Sequence, residues 1–133
     1  MTSTWWDAEG LAEFVLGREA AVLEEQGASS LHALATVAVE VPALLRLGAV
    51  DDPSRWAARL AAWDALLAGI NLVSLDDDVT QPASEMVRQW MVPARTALEL
   101  VGAQRVDAVR VVSPSEELLT VAQLLGFRVA HIA

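Results

Sequence analysis

The chain has 133 residues, of which 54% are hydrophobic and none is cysteine, and its formal net charge is −9. This length fits one domain, residues 1–133, with a core of its own. The composition excludes disulfides and thiolate metal sites, suits the cytoplasm, and argues against nucleic-acid binding through charge alone. No apolar run approaches the roughly 18 residues of a membrane span, so we expect no membrane location, and the N-terminus lacks the basic start of a signal peptide.

Short β-like runs alternate with helical patterns from the first residues onward. Residues 3–6 predict a strand and residues 8–16 a helix, with Asp7 at the N-cap position between them. A second short helix is predicted over 18–25, and a turn or short strand over 28–33. Asp7 therefore has two compatible interpretations, as a helix cap and as a site residue at a strand end.

The middle of the chain carries one conspicuous acid. Residues 33–47 are almost wholly apolar, and Pro42 is expected to bend or break any helix there. Glu40 stands alone in this run, so it must be paired, lie at an edge or face a polar cleft. We expect it to face the same cleft as Asp7.

The rest of the chain continues the alternation. The pattern predicts, in chain order, a helix from 53 to 69, a strand at 70–75, a helix at 76–91, a helix at 94–101, a strand at 107–113, a helix at 116–125 capped by Ser113 or Ser115, and a strand at 127–132. Asp76, Asp77 and Asp78 resemble a metal cluster, but at a helix start they point in different directions, so we interpret them as capping and solvated residues. The whole order predicts an α/β fold, a small three-layer sandwich with helices on both faces of a central parallel sheet. Ligands in such sheets bind beyond the carboxyl ends of the strands, where Asp7 would lie.

The five tryptophans are assigned mainly to packing. Trp5 and Trp6 are neighbours on a strand and face opposite sides, so we expect one to be buried and the other exposed or in an interface. Trp56 and Trp63 belong to a predicted buried stripe of the helix that begins near residue 53. Trp90 is expected to face inward, with base stacking as the alternative.

Four segments in order resemble a PIN domain, the small nuclease fold typical of the toxin half of VapBC-type toxin–antitoxin pairs. They are "WWDAEGLAEFV", "ALATVAVEVPALLRLG", "INLVSLDDDVTQPASEMV" and "VDAVRVVSPSEELLTVAQLLGFRVAHI". The first is similar to the opening strand that ends in an aspartate, the second to the helix with an acid midway, and the last two to the later strands and helices. The resemblance covers nearly the whole chain and implies a PIN-like fold.

The resemblance also implies a divalent-metal ribonuclease whose acids hold magnesium or manganese, because hard cations prefer carboxylate oxygens. Asp7 and Glu40 match the first and second acids of the family and are the predicted catalytic and metal-binding residues. The third acid falls at Trp90 or Ala94 and the fourth near Ser115, none of which carries a charge. Glu99 and Glu116 are the nearby acids that would substitute as metal ligands.

Three functions follow as alternatives. The first is a metal-dependent ribonuclease of toxin–antitoxin type, with an RNA substrate and an antitoxin protein that lays a segment with an arginine or lysine over the acidic cleft. The second is a catalytically inactive PIN-like module for protein interaction or dimerisation. The third is an unrelated α/β interaction module in which Asp7 is only a cap. The apolar content and the tryptophans predict a homodimer.

Overall fold

The protein folds as an α/β domain in which strands and helices alternate. The computed structural model describes residues 3–17, 30–47, 49 and 51–132. Its strands are β1 (Ser3–Trp6), β2 (Ser30–Leu34), β3 (Ile70–Val73), β4 (Arg110–Ser113) and β5 (Arg128–His131). Its helices are α1 (Ala8–Val15), α2 (Val37–Arg46), α3 (Pro53–Leu67), α4 (Asp77–Trp90), α5 (Ala94–Arg105) and α6 (Glu116–Leu124). The helix predicted over 18–25 lies outside the described residues.

The five strands form one parallel sheet in the order β3-β2-β1-β4-β5. The chain starts in the middle of the sheet, builds outward to β3, and then crosses to the other side of β1 to build β4 and β5. The gap between β1 and β4 is therefore the point at which the strand order reverses, and such a point opens a crevice at the carboxyl ends of the strands.

Two hydrophobic cores lie on the two faces of the sheet, and each contains one of the adjacent tryptophans. Trp5 packs with residues of α4, α5 and α6, whereas Trp6 packs with residues of α1, α2 and α3. The alternation of side chains along β1 puts the two indoles on opposite faces. This arrangement confirms the predicted three-layer sandwich with a central parallel sheet.

The burial of the tryptophans differs from the expectation at two places. Trp5 and Trp6 are both fully buried, so the prediction that one of them would be exposed or in an interface is wrong. A sheet covered by helices on both faces buries both sides of its central strand, which is why neither indole reaches solvent. Trp90 was expected to face inward, but it ends α4 with 49% of its surface exposed. Of the stripe predicted on α3, Trp63 is fully buried and Trp56 is half-buried.

Of the two effects expected of Pro42, a bend or a break, the break does not occur in α2. The helix runs from Val37 to Arg46 with the proline inside it. Val37, Val41 and Leu45 are each fully buried in the core around Trp6. Burial of three aliphatic side chains contributes several kcal/mol, which offsets the roughly 3 kcal/mol cost of an interior proline.

Within the described part of the chain, no helix is long and apolar enough to cross a membrane.

The close contact between Gly102 on α5 and Trp5 on β1 predicts the effect of a substitution on the free energy of unfolding. A Cβ atom at Gly102 would lie 2.8 Å from Cζ2 of Trp5 and closer still to Cη2 of the same ring. We expect Gly102→Ala to lower the free energy of unfolding by about 1–3 kcal/mol, because the ring and the helix must move apart. In a helix without such a clash, alanine is more stable than glycine by about 1 kcal/mol. A decrease in the free energy of unfolding would therefore be caused by the clash with Trp5. Urea denaturation measures this change.

Gly69→Ala is the matched control, because a Cβ atom there meets only the carbonyl oxygen of Leu66, at 3.7 Å. Equal denaturation midpoints for the two variants would contradict the close approach of Trp5 and Gly102.

Candidate functional site

Polar side chains converge where the strand order reverses, at the carboxyl ends of β1 and β4. Asp7 directly follows β1, and Ser113 is the last residue of β4. Adjacent parallel strands end at the same edge of a sheet, so the sheet brings together two residues that are 106 positions apart in sequence.

Asp7 is the N-cap of α1, as one interpretation of the sequence predicted, and it also faces the crevice. Its Oδ1 accepts a hydrogen bond of 2.8 Å from the backbone N–H of Gly10, and its Oδ2 accepts one from the hydroxyl of Ser113. A Cβ atom at Gly10 would lie 2.9 Å from Oδ1 of Asp7, so glycine allows the carboxylate to approach this closely. Burial raises the pKa of Asp7 from 3.8 to about 6, although both hydrogen bonds lower it.

Glu99 is the most buried charged side chain of the crevice, with 1% of its surface exposed. The indole N–H of Trp5 donates to Oε2 of Glu99 at 2.9 Å, and a nitrogen of Arg95 lies 3.0 Å from Oε1. Burial raises the pKa of Glu99 from 4.5 to about 7, against the lowering effect of the Arg95 charge and of the Trp5 hydrogen bond. The two donors satisfy both oxygens of a carboxyl group that has almost no access to water.

Arg95 connects the acids of two helices. Its Nη2 lies 2.8 Å from Oε1 of Glu40 on α2 and 3.0 Å from Oε1 of Glu99 on α5. Partial burial alone would lower the pKa of the guanidinium, but Glu99 and Glu40 raise it above its usual value. Arg95 therefore stays charged and ties α2 to α5 across the end of the sheet.

These side chains surround one cavity of about 180 Å³, the acid cleft. The residues that line it are Asp7, Ala8, Glu9, Glu40, Arg95, Thr96, Glu99, Ser115 and Leu118. The structure thus brings together three of the four acids named from the sequence as metal ligands, Asp7, Glu40 and Glu99. The fourth, Glu116, is exposed in the first turn of α6 and is not among the lining residues.

Of the positions expected for the third and fourth family acids, one lines the acid cleft and the other two do not. Trp90 and Ala94 both lie outside the acid cleft, and α5 instead presents Thr96 and Glu99 to it. Ser115 does line the cleft, where its hydroxyl caps α6 by accepting from the backbone N–H of Leu118 at 3.3 Å.

The acid cleft does not fit a divalent cation with its side chains as they stand. No group of three or more acids or histidines among the described residues is placed to hold a metal ion. The guanidinium of Arg95 already lies between the carboxylates of Glu40 and Glu99. The oxygens that magnesium or manganese would require therefore bind protein donors instead.

Three functional features escaped the sequence analysis, namely Arg95, the indole N–H of Trp5 and the hydroxyl of Ser113. Only Arg95 could have been found from the sequence, because Arg95 and Glu99 are four positions apart and therefore share one face of a helix. The contacts of Trp5 and Ser113 depend on residues more than 90 positions away and left no local pattern.

An apolar groove, the α1–α2 groove, continues from the acid cleft along the surface between those two helices. The residues that line it are Ala8, Glu9, Ala12, Glu13, Leu16, Glu40, Ala43, Leu44, Leu47, Arg59 and Pro114. Ala8, Glu9 and Glu40 line the groove and the acid cleft alike. Leu47 is 76% exposed, so the groove presents apolar surface at one end and carboxylates at the other.

Proteins of known structure share this fold, although sequence comparison finds no match. No protein-family model matches this sequence, and no curated protein matches it significantly. A toxin–antitoxin complex from Klebsiella pneumoniae contains a chain that is similar over 96% of this chain and 95% of its own, with 16% identity and a TM-score of 0.66.

Two further structures have the same similarity of fold. VapBC2 from Rickettsia felis, bound to a DNA fragment from its promoter, matches with a TM-score of 0.66 and 11% identity over 99% of this chain and 100% of the other. PAE2754 from Pyrobaculum aerophilum matches with a TM-score of 0.65 and 16% identity over 90% of this chain and 84% of the other. At these identities the likeness establishes the fold, the PIN-like α/β sandwich that the sequence predicted.

The buried Glu99 carboxyl group predicts an unusual dependence of stability on pH. Its pKa is raised in the folded state, so folding favours the protonated form, and the stability contributed by protonation is lost as the pH rises from about 4.5 to about 7. We expect Glu99→Gln to become more stable relative to the wild type over this range, by roughly 3 kcal/mol at most, since one pKa unit corresponds to about 1.4 kcal/mol. Urea denaturation of both proteins at pH 4.5, 6 and 8 measures the difference.

Glu85→Gln, an exposed change in the middle of α4, is the control for loss of one negative charge. A stability difference between Glu99→Gln and the wild type that does not change with pH would show that Glu99 titrates as an ordinary carboxylate.

Proposed function

We propose that this protein is a PIN-like domain of toxin–antitoxin type that works by binding a protein partner over its acid cleft, without a divalent metal and without cleaving RNA. The observation that carries this proposal is the position of Arg95, whose Nη2 lies within 3.0 Å of carboxylate oxygens on both Glu40 and Glu99. Because Arg95 already pairs with two of the acids, the cleft has fewer free carboxylate oxygens to offer a divalent cation.

The α1–α2 groove supports the choice of a protein partner. Its apolar residues include Leu44 and the highly exposed Leu47, and its other end is formed by Glu9 and Glu40 beside the acid cleft. A helix or extended segment with an apolar face and one basic side chain fits both ends of this groove. Such a segment is the kind that an antitoxin protein would supply.

A second candidate function is a magnesium- or manganese-dependent endoribonuclease. The observation in its favour is that Asp7, Glu40 and Glu99 line one cavity at the carboxyl ends of the strands. In this alternative Arg95 would leave the carboxylates when substrate binds, and Asp7 would be required for cleavage.

Capture of the partner tests the proposal. The tagged full chain is recovered from its own cells as the wild type, as Leu47→Asp and as Leu124→Asp. Both leucines are exposed, by 76% and 78%, and Leu124 ends α6 and does not line the groove. We expect a protein that the wild type and Leu124→Asp retain and that Leu47→Asp loses, because a carboxylate in an apolar contact costs a few kcal/mol. Capture of the same proteins by all three would contradict binding in this groove.

Cleavage assays separate the two candidate functions. Wild type and Asp7→Asn are incubated with a mixture of single-stranded RNAs in millimolar manganese. We expect no cleavage by the wild type beyond that of Asp7→Asn. Cleavage by the wild type that disappears in Asp7→Asn would establish the ribonuclease instead.

We also propose that the protein forms a homodimer through the face of α4 and α5. Trp90 and Met91 at the end of α4 are 49% and 89% exposed. A cavity of about 310 Å³ lies between these two helices, lined by Thr80, Ala83, Ser84, Val87, Ala94 and Leu98. Exposed large apolar side chains beside an apolar cavity are typical of interfaces.

Light scattering at micromolar concentration tests the dimer. We expect a dimer mass for the wild type and a monomer mass for Met91→Asp, since Met91 is exposed and its replacement leaves the core intact. Leu124→Asp on α6 is the matched control and should remain a dimer. A monomer mass for the wild type would refute the proposal.

A further inference from the structure

The α1–α2 groove contains an arginine, Arg59, that has no carboxylate partner. Arg59 lies on α3 and lines the groove near the exposed Leu47. Arg55, Arg95 and Arg105 each pair with at least one carboxylate. Within the ranges that the structure describes, Arg59 pairs with none. Its positive charge is therefore available to a ligand that enters the groove.

The end of α2 holds the guanidinium of Arg59 in place. Nη1 donates a hydrogen bond of 2.7 Å to the backbone oxygen of Leu45, which is one of the last carbonyl groups of α2 and has no acceptor role within that helix. This bond uses one of the five N–H donors of the guanidinium, so the others remain for an acceptor from a ligand. A side chain that is already oriented loses less conformational entropy when it binds.

The groove carries opposite charges at its two ends. Glu9 and Glu40 line the end beside the acid cleft, whereas Arg59 lines the adjoining cavity of about 370 Å³. Glu40 precedes Leu45, the contact of Arg59, by five residues of α2, which corresponds to roughly 8 Å along the helix axis. Glu13 on the α1 wall also lines this cavity but has an interaction of its own. A complementary ligand therefore carries a basic and an acidic group at about this separation.

The apolar walls of the groove have the spacing that suits a helical ligand. Ala12 and Leu16 are four positions apart at the end of α1, and Leu44 and Leu47 are three positions apart at the end of α2. Side chains three or four positions apart form a ridge along one side of a helix. The groove between two such ridges accepts the side chains of a third helix.

We propose that Arg59 selects the partner of the groove by pairing with an acidic side chain of an amphipathic helix. The basic side chain of the same helix lies against Glu9 and Glu40, roughly one to two helical turns away. The inference rests on the proposed function, because it requires that a protein partner occupies the groove. It adds a condition that apolar contacts do not impose, namely an acid at the end of the helix that meets Arg59.

Synthetic helical peptides test the inference with the full-length protein. Each peptide has the same stripe of leucines and one arginine, and the residue roughly two turns from that arginine is glutamate, glutamine or lysine. A second set has the arginine at the opposite end, so that both helix directions are covered. Fluorescence anisotropy measures Kd. We expect the glutamate peptide to bind most tightly and the lysine peptide most weakly, with about a tenfold difference between them.

Substitutions of Arg59 separate a role in recognition from a role in the packing of α2. We expect Arg59→Lys to keep the order of the three peptides and Arg59→Glu to invert it. Loss of the contact with Leu45 alone would weaken all three peptides alike. Arg55→Glu is the matched control, because Arg55 is an exposed arginine of the same helix that pairs with Asp52 and does not line the groove. If Arg59→Glu does not fold, Arg59→Gln replaces it and should make the three affinities equal.

Three results would overturn the inference, namely equal affinities of the three peptides for the wild type, an unchanged order in Arg59→Glu, or no binding of any peptide. Leu47→Asp distinguishes this failure from that of the proposed function. Binding that Leu47→Asp abolishes, but that does not depend on the variable residue, would leave the groove as the partner site and remove the role of Arg59. Binding that Leu47→Asp leaves unchanged would contradict both proposals.

Discussion

The buried carboxyl group of Glu99 is the constraint around which the candidate site is built. A carboxyl group with 1% exposure costs several kcal/mol unless donors surround it. The two donors come from different parts of the fold, Trp5 on the central strand and Arg95 on the same helix. Because Arg95 also reaches Glu40, satisfying one buried group links β1, α5 and α2 at the carboxyl end of the sheet.

The packing of Trp5 is a second consequence of the same arrangement. Its indole N–H reaches Glu99 while its ring lies against the backbone of α5 at Gly102. The ring is part of the core formed with α4, α5 and α6. One side chain thus contributes to the hydrophobic core and orients a charged group of the acid cleft, so the core and the site are not independent.

The position of the acids in the cleft is typical of a ligand site, whereas their pairing with Arg95 disfavours a metal ion as the ligand. The topology places acids at the reversal of strand order, where α/β sheets bind ligands. Arg95 pairs with two of those acids, Glu40 and Glu99, and burial raises the pKa of both Asp7 and Glu99. The fold that this chain shares with the toxin–antitoxin structures therefore carries here a cleft in which two of the acids are paired with an arginine of the same chain.

The local signals in the sequence identified most of the secondary structure. The alternation of strand and helix patterns predicted four of the five strands, and the segment of β2 as either a turn or a short strand. Asp7 was identified as a cap, and Ser115 was one of two candidate caps for α6. The signals failed where burial depends on neighbours distant in sequence. Trp5 and Trp6 are both covered because helices pack on both faces of the sheet, and α2 continues through Pro42 because its aliphatic face is buried.

The sequence by itself determined the fold class, the strand-end position of Asp7 and the expectation that Glu40 shares its cleft, because capping, periodicity and isolated charges are local properties. Only the tertiary structure decided which donors the acids are paired with. Glu99 and Arg95 lie one helical turn apart, which local spacing reveals, but Glu40 lies 55 residues from Arg95 and the partner of Glu99 on β1 lies 94 residues away. The balance of charge in the cleft depends on these long-range contacts, and only the packing of α2 and α5 against the central strand brings them together.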